Sequence, residues 1–264
     1  MKSSRKRERV DKLLFDRGLV PSREKAKALI MAGCVFSGEM RIEKPGQLVP
    51  LEAPLTVRES DNPYVSRGGL KLERALREFA LDVQDKRALD IGASTGGFTD
   101  CLLQHGAVRV YALDVGYGQM DPRIARDPRV VHRERVNVRH GVPSDFSGPF
   151  DLVTIDVSFI SLRLVLPVVK EFLSAEGEIV ALVKPQFEVG KGQVGKNGIV
   201  RDPEKHATVL REIIDYAQSL GLCFRGLVTS PITGAKGNLE FLLRLARSGE
   251  QATLEAIELA IQQR

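Results

Sequence analysis

The sequence predicts an α/β protein in which a small mixed module precedes a larger parallel sheet with helices on both faces. From about Val65 onward, short apolar segments alternate with helical patterns, as in a parallel sheet. One of these segments runs into a glycine-rich turn. A polar stretch with an Asn-Pro pair, residues 59–64, is typical of a linker. We therefore expect three parts: residues 1–58, a linker over 59–65, and residues 66–264.

The composition is that of a folded protein with its positive charge at one end. Of 264 residues, 43% are apolar and 28% are charged, which is sufficient for a core. The net charge is +5. Residues 1–30 hold ten Lys or Arg against four Asp or Glu, whereas the remainder holds 29 against 30. Such a basic segment indicates a polyanionic partner, most simply a nucleic acid, and the alternative is a solvated tail.

Several classes of protein are disfavoured by the sequence. The longest apolar runs have five residues, as in Ile179–Val183, whereas a membrane-spanning helix needs about 20. No apolar segment that would make a signal peptide follows the basic N-terminus. The three cysteines form no C-x-x-C pair, and the four histidines are scattered. We expect a cytoplasmic protein without a disulfide framework, metal site or membrane contact, and nothing indicates a protein partner.

The first segment has the pattern of two short helices followed by strands. A helical face is formed by Val10, Leu13 and Leu14, and Gly18 is suited to end that helix. A second helix, capped by Ser22, has a buried face of Ala26, Leu29 and Ile30. Short strands are predicted around residues 34–36, 49 and 55–57.

Residues 9–38 have the sequence R-V-D-K-L-L-F-D-R-G-L-V-P-S-R-E-K-A-K-A-L-I-M-A-G-C-V-F-S-G. This segment resembles the S4 RNA-binding domain. The resemblance implies contacts to RNA phosphates from Arg9, Arg23, Lys27 and Lys44, because basic side chains on helices read phosphates by charge and shape. The alternative is that these side chains are solvated helix faces.

The glycine-rich turn indicates a ligand site. The predicted strand Arg87–Ile91 leads into the turn Gly92–Thr99 and a helix, and glycines there let a ligand approach the backbone. The spacing fails both the dinucleotide fingerprint G-x-G-x-x-G and the phosphate-binding P-loop. Asp90 before the turn would repel a pyrophosphate and suits a cationic group. Asp114, after the next strand, can accept hydrogen bonds from ribose hydroxyls.

The arrangement D-x-G-x-x-x-G-G-F-T-D resembles motif I of S-adenosylmethionine-dependent methyltransferases, which have a Rossmann-like sheet. The resemblance implies S-adenosylmethionine as cofactor, with adenine near Asn137. The implied binding residues are Asp90, Gly92, Ala93, Ser94, Thr95, Gly96, Gly97, Phe98, Thr99, Asp114 and Asn137. A purely structural turn, or a site for another nucleotide, is the alternative.

The atom that accepts the methyl group must be inferred from residues at the other strand ends, because a fold by itself does not identify a substrate. The fourth strand, Asp151–Ile155, is followed by D-V-S-F-I and not by the Asn/Asp-Pro-Pro-Tyr of many base amine methyltransferases. None of the three cysteines follows a proline, as the nucleophile of pyrimidine C5 methyltransferases usually does. Methylation of an oxygen atom remains.

Four polar residues lie near predicted strands. Lys71 precedes the first strand and Asp156 follows the fourth. Lys184 follows the fifth strand, Ile179–Val183, and Glu240 lies within the last strand, Leu239–Leu245. Together the four residues resemble the Lys-Asp-Lys-Glu tetrad of FtsJ-type RNA ribose 2′-O-methyltransferases. The segments S-R-G-G-L-K-L, D-V-S-F-I-S-L, V-K-P-Q-F-E and G-N-L-E-F-L resemble the TlyA family, whose members are named both hemolysin and ribosomal RNA 2′-O-methyltransferase. The resemblance covers essentially the whole chain. It implies methylation of ribosomal RNA, at cytidines of 16S RNA, 23S RNA or both.

The chemistry gives each residue of the tetrad an expected role. A ribose hydroxyl is a poor nucleophile, so a base must take its proton, and a buried lysine near a second cation can serve. We expect Lys184 to be this base near Lys71, with Asp156 and Glu240 orienting the two ammonium groups across the site. Each lysine taken alone could equally be a surface ion-pair partner.

Two further features are predicted to contact RNA. The loop 190–198 contains four glycines and two lysines, Lys191 and Lys196, and could clamp the backbone or simply connect two elements. Tyr117 could stack a base or pack at the cofactor rim.

Two other functions compete with methylation. One is a non-catalytic RNA-binding assembly factor, and the other is a pore-forming hemolysin. The sequence disfavours the second because it shows no spanning segment, signal peptide or basic amphipathic helix.

Overall fold

The computed structural model describes residues 6–31, 33–58, 62–141, 144, 146, 148–190 and 192–262. The chain divides into two compact units, residues 1–67 and 68–264. Each unit has a hydrophobic core of its own.

The first unit packs two helices against short antiparallel strands. Its elements are β1 (Arg7–Arg9), α1 (Val10–Asp16), α2 (Arg23–Met31), β2 (Val35–Ser37), β3 (Met40–Arg41), β4 (Leu48–Pro50) and β5 (Leu55–Val57). β1 pairs with β4, and β2 lies between β3 and β5. The two expected helices are present, and the apolar faces predicted for them enter the core, where Val10, Leu14, Ala26 and Ile30 are buried.

The second unit alternates strands and helices. Its elements are α3 (Gly68–Glu78), β6 (Arg87–Ile91), α4 (Gly97–Gln104), β7 (Arg109–Leu113), α5 (Pro122–Ala125), β8 (Val130–Arg133), β9 (Phe150–Ile155), α6 (Leu166–Glu171), β10 (Leu173–Val183), α7 (Pro185–Glu188), α8 (Pro203–Ser219), β11 (Cys223–Thr229), β12 (Phe241–Ala246) and α9 (Glu255–Gln262).

Within the described part of this unit, seven strands form one sheet in the order β11-β12-β10-β9-β6-β7-β8. β6, β7, β8, β9 and β10 run parallel to one another, and β12 is antiparallel to both β10 and β11. The carboxyl ends of the parallel strands therefore meet at one edge of the sheet, and the reversed β12 begins at that edge.

The core follows from strands that are apolar on both faces, as expected for a parallel sheet. Alternate strand residues such as Leu89, Val153 and Ala181 pack in one cluster with buried side chains of α8. Residues between them, such as Ala88 and Val180, are also fully buried but lie on the opposite face. The predicted α/β class, with helices on both faces of the sheet, is confirmed.

The ends of two strands differ from expectation. β10 begins at Leu173, well before Ile179, and Glu240 lies just before β12 rather than inside the last strand. β10 leaves the sheet after Val183 because Pro185 starts α7 and has no N–H to donate. The ladder with β12 accordingly ends at the pair Val183–Phe241.

No helix in the described ranges is both long and apolar enough to cross a membrane.

Candidate active site

A pocket of about 380 Å³ lies at the carboxyl edge of the second unit's sheet, at the ends of β6, β7 and β9. Five of the predicted site residues line it, namely Gly92, Ser94, Asp114, Asn137 and Asp156. The remaining residues of the glycine-rich turn lie elsewhere. Ala93, Gly96, Gly97, Phe98 and Thr99 are buried in the body of the unit, and Thr95 is exposed.

Two glycines of the turn are required by the backbone. Gly92 has a φ of 85°, and a Cβ atom there would overlap the backbone oxygen of Asp156. Gly96 has a φ of 91°, and its Cβ atom would lie 3.2 Å from Ile124 of α5. Both φ values lie in the left-handed region that favours glycine. Gly92 thus lets β6 and β9 approach each other beside the pocket, whereas Gly96 serves the packing of α5.

Asp114 shapes the pocket by holding two backbone segments. Its Oδ2 accepts a hydrogen bond of 2.7 Å from the N–H of Ser94, and its Oδ1 accepts one of 2.6 Å from the N–H of Gly116. These bonds tie the turn after β6 to the turn after β7. Each carboxylate oxygen retains a further lone pair, so Asp114 can still accept a hydrogen bond from a bound ligand.

Asp90 is completely buried at the end of β6. Its carboxylate accepts hydrogen bonds from the hydroxyls of Thr99 (2.7 Å) and Thr154 (2.9 Å). Burial raises the pKa of Asp90 to about 6, and the nearby carboxylate of Asp156 acts in the same direction. Asp90 therefore braces the turn from behind, joining β6 to α4 and β9.

The four residues of the expected tetrad form two ion pairs at this edge. Nζ of Lys71, on α3, lies 2.5 Å from Oε2 of Glu240. Nζ of Lys184 lies 2.6 Å from Oδ1 of Asp156 and donates a hydrogen bond of 2.9 Å to Oγ of Ser158. Both lysine side chains are about nine-tenths buried. Each ammonium is thus held by a carboxylate.

Strand register explains why residues so distant in sequence meet. The β10–β12 ladder ends at the pair Val183–Phe241, and Lys184 and Glu240 are the next residues on the two strands. Asp156 follows Ile155, the last residue of β9 that pairs with β6 and β10. Gly234 admits the Glu240 carboxylate, because a Cβ atom at that position would overlap Oε1. Sequence reasoning identified the tetrad but not Ser158 or Gly234.

A partly buried carboxylate that was not predicted joins the segments carrying Asp156 and Lys184. Glu188, at the end of α7, accepts hydrogen bonds from Oγ of Ser161 (2.6 Å) and from the N–H of Leu162 (2.8 Å). Burial raises the pKa of Glu188. The sequence signal that could have found it is its position four residues after Lys184, at the end of V-K-P-Q-F-E.

Two aromatic side chains are exposed beside the pocket. Phe159 is 90% exposed, has a φ of 64°, and contacts Phe187 with a ring-centroid distance of 4.9 Å. Tyr117 is 70% exposed, and the guanidinium of Arg135 lies 4.2 Å from its ring centroid. An exposed aromatic ring at a site is a stacking surface for a base. Tyr117 was predicted in this role, and Phe159 was not.

The residues predicted to bind RNA in the first unit lie around one buried carboxylate. Asp11, completely buried, pairs with Arg9 and with Arg23 at 3.0 Å each. These two arginines hold the pKa of Asp11 down at about 2. Lys27 is exposed one turn after Arg23, and Lys44 is exposed in the turn whose Pro45 accepts a hydrogen bond from the N–H of Asp11.

Of the two lysines predicted in the glycine-rich loop 190–198, Lys191 lies outside the described residues, as does the side chain of Lys196. Among the residues that the structure does describe, no group of His, Cys, Asp and Glu is arranged to hold a metal ion.

The unit's sheet and the position of the pocket define the fold of S-adenosylmethionine-dependent methyltransferases. The family model for FtsJ-like methyltransferases matches residues 64–247, and the model for the S4 domain matches residues 8–53.

Individual relatives agree with these matches. The chain is 55% identical to YqxC of Bacillus subtilis, over 93% of this chain and 88% of that protein. It is 47% identical to the 16S/23S rRNA (cytidine-2′-O)-methyltransferase TlyA of Mycobacterium tuberculosis, over 94% and 92%. A solved structure of a hemolysin candidate from Streptococcus thermophilus superposes with a TM-score of 0.77 at 44% identity, covering 98% of this chain and 96% of that one. The chain therefore belongs to the TlyA family of FtsJ-like methyltransferases.

The raised pKa of Asp90 makes stability depend on pH. The pKa rises from 3.8 to about 6 on folding, so between these values the folded state binds a proton that the unfolded state does not. The free energy of unfolding therefore increases as the pH falls from about 6 to 3.8. Above about pH 6 the buried carboxylate is charged, and the folded state is less stable than it is below this range. Asp90→Asn removes this dependence.

We expect the stability difference between Asp90→Asn and the wild type to change by up to roughly 3 kcal/mol between pH 7 and pH 4, at about 1.4 kcal/mol per pKa unit. Urea unfolding at several pH values measures it, with Asp82→Asn, an exposed carboxylate, as the control. A difference that does not vary with pH would contradict the assignment.

Proposed function

We propose that the protein transfers the methyl group of S-adenosylmethionine to the 2′-oxygen of a ribose in ribosomal RNA, at cytidines of the 16S or 23S molecule. The observation that carries this proposal is the set of two lysine–carboxylate pairs beside the pocket. The match to the FtsJ-like methyltransferase family supports it. So does the 47% identity to TlyA of Mycobacterium tuberculosis, which is named a 16S/23S rRNA (cytidine-2′-O)-methyltransferase.

The pocket fits an adenosine-containing cofactor. Asp114 offers acceptor lone pairs for the ribose hydroxyls, and Asn137 lies on the wall together with Val136 and Val138, which provide apolar surface for a flat base. The pocket ends at Asp156 and Ser158, next to Lys184. When bound, S-adenosylmethionine supplies an electrophilic methyl group on a sulfonium, and the chain's own residues orient the acceptor.

The reaction then needs the acceptor oxygen to lose a proton as it bonds to carbon. In this mechanism the 2′-oxygen attacks the methyl carbon, the carbon–sulfur bond breaks, and the hydroxyl proton passes to Nζ of Lys184, which acts as the base. The carboxylate of Asp156, 2.6 Å away, stabilises the ammonium that results. Lys71, fixed by Glu240, adds positive charge near the developing alkoxide. In-line alignment contributes the remaining acceleration.

Lys184→Arg tests the assignment of the base. The guanidinium keeps the charge and can still pair with Asp156, but it does not deprotonate in proteins and so cannot accept the hydroxyl proton. We expect single-turnover methylation of ribosomal subunits to fall roughly a hundredfold or more, the usual scale for a general base. The affinity for S-adenosylmethionine should change little.

Two variants accompany this measurement. Lys86→Arg, just before β6 at the opposite end of the sheet, should be as active as the wild type. Lys71→Arg should lose less activity than Lys184→Arg, because Lys71 contributes charge only. A near-normal rate for Lys184→Arg at every pH would contradict the assignment of Lys184 as the base. The alignment of the 2′-oxygen with the methyl group would then be the main source of catalysis.

Asp114→Asn tests the cofactor pocket. The amide loses the charge and one acceptor atom, and hydrogen bonds to charged groups contribute about 1.5–3 kcal/mol. We therefore expect calorimetry to show S-adenosylmethionine binding at least about tenfold more weakly. Asp127→Asn, a carboxylate paired with Arg129 outside the pocket lining, is the matched control. Equal affinities for the two variants would argue against the proposed ribose contact.

The first unit is proposed to supply RNA affinity through Arg9, Arg23, Lys27 and Lys44. We expect Lys27→Ala, which removes an exposed lysine of α2, to weaken binding to ribosomal subunits and to reduce the slope of log K against log salt by about 1, because one phosphate contact is lost. Lys12→Ala, which removes a lysine paired with Glu8 and Asp16 in the same unit, should leave the slope unchanged. The proposal fails if both variants behave alike.

A further inference from the structure

An arginine-rich segment lies at the edge of the second unit's sheet, away from the tetrad. Residues 121–140 contain six arginines against three carboxylates, although the chain from residue 31 onward is nearly neutral. The segment covers α5, the edge strand β8 and the turn after it. All six arginines are exposed.

The carboxylates of this segment neutralise only some of its arginines. Arg123 pairs with Asp121, and Arg129 pairs with Asp127, each two residues earlier in the chain. Within the ranges that the structure describes, Arg126, Arg135 and Arg139 form no ion pair with a carboxylate. These three residues, here called the arginine surface, keep guanidinium donors available for an anion.

Arg135 is held in a conformation that points to binding. Its φ of 58° lies in the left-handed region, which is uncommon for a residue with a side chain and is often found at functional sites. The N–H of Arg135 donates to the carbonyl of Gly116, and the N–H of Val136 donates to that of Asp114. These bonds hold Arg135 beside Tyr117, where its guanidinium contacts the exposed ring. A paired guanidinium and ring offer charge for a phosphate and a face for a base.

The arginine surface adjoins the pocket. Residues 136–138 line the pocket wall, so Arg135 and Arg139 flank the lining segment on both sides. Arg139 is fixed at the start of a short 3-10 turn, where its N–H donates to Oδ1 of Asn137. β8 lies three strand spacings from β9, a distance of about 14 Å. A folded RNA that reaches Asp156 at the end of β9 has several phosphates within that distance, so its backbone can also reach the arginine surface.

We propose that the arginine surface, with Tyr117, binds the phosphate backbone of the RNA whose ribose enters the active site. The identity of that RNA rests on the proposed function. The methyltransferase unit then contributes its own salt-dependent affinity and does not depend on the S4 unit alone to hold the substrate. The surface reads the backbone rather than base sequence, because guanidinium contacts to phosphates carry no sequence information.

The test is a full-length triple variant, Arg126→Ala, Arg135→Ala and Arg139→Ala. The matched control, Arg77→Ala, Lys86→Ala and Arg211→Ala, removes the same charge from α3, the segment before β6, and α8. Binding of both variants to purified 16S and 23S rRNA and to ribosomal subunits is measured between 50 and 300 mM salt. Methylation kinetics and S-adenosylmethionine affinity are measured on the same proteins.

We expect the triple variant to lower the salt slope by about 2 to 3, at about 0.9 per lost contact in duplex regions. It should raise KM for the RNA at least tenfold, leave kcat within twofold, and leave cofactor affinity unchanged. A salt slope equal to that of the control, or a loss confined to cofactor affinity, would overturn the proposal. If the wild type binds rRNA but does not methylate it, a reduced slope still supports the surface while the proposed function fails.

Discussion

The register of the reversed strand β12 against β10 is the constraint on which the site depends. It places Glu240 next to Lys184 at the edge where β6 and β9 also end. A shift by one residue would turn Glu240 to the other face of the sheet, since side chains alternate along a strand. Lys71 would then lose its partner, and a buried ammonium without a carboxylate is strongly destabilising. The ion pairs and the apolar ladder thus specify the same register.

Buried and partly buried carboxylates hold neighbouring groups in place in both units. Asp90 holds two hydroxyls behind the glycine-rich turn, Asp114 holds two backbone N–H groups beside the pocket, and Glu188 joins the segments that carry Asp156 and Lys184. In the first unit, Asp11 fixes two arginines. A group fixed in advance loses less conformational freedom on binding, which favours affinity and alignment.

The sequence predicted those features that a local pattern encodes. The strand before the glycine-rich turn and the four residues of the tetrad follow from motifs with fixed spacing, and the α/β class follows from the alternation of elements. The first part of β10 was not predicted as a strand, because residues 173–178 include Glu176 and Gly177 and lack an apolar pattern. The turn residues were predicted together as ligand contacts, but of the turn only Gly92 and Ser94 line the pocket. The sequence pattern does not distinguish them from their neighbours, and only the fold does.

Residues that act through three-dimensional proximity were beyond the reach of pattern reasoning. Glu188 and Gly234 matter because of what they touch. Gly234 carries no sequence signal, and Glu188 has only its position at the end of V-K-P-Q-F-E. The arginines of residues 121–140 can be read from the sequence, but the net charge of the chain from residue 31 onward is close to zero and gives no indication of them. The structure shows that Arg123 and Arg129 are neutralised by carboxylates two residues earlier in the chain. The average charge of a unit is therefore a poor guide to its contacts with a polyanion, because local pairing decides which cations remain available for phosphates.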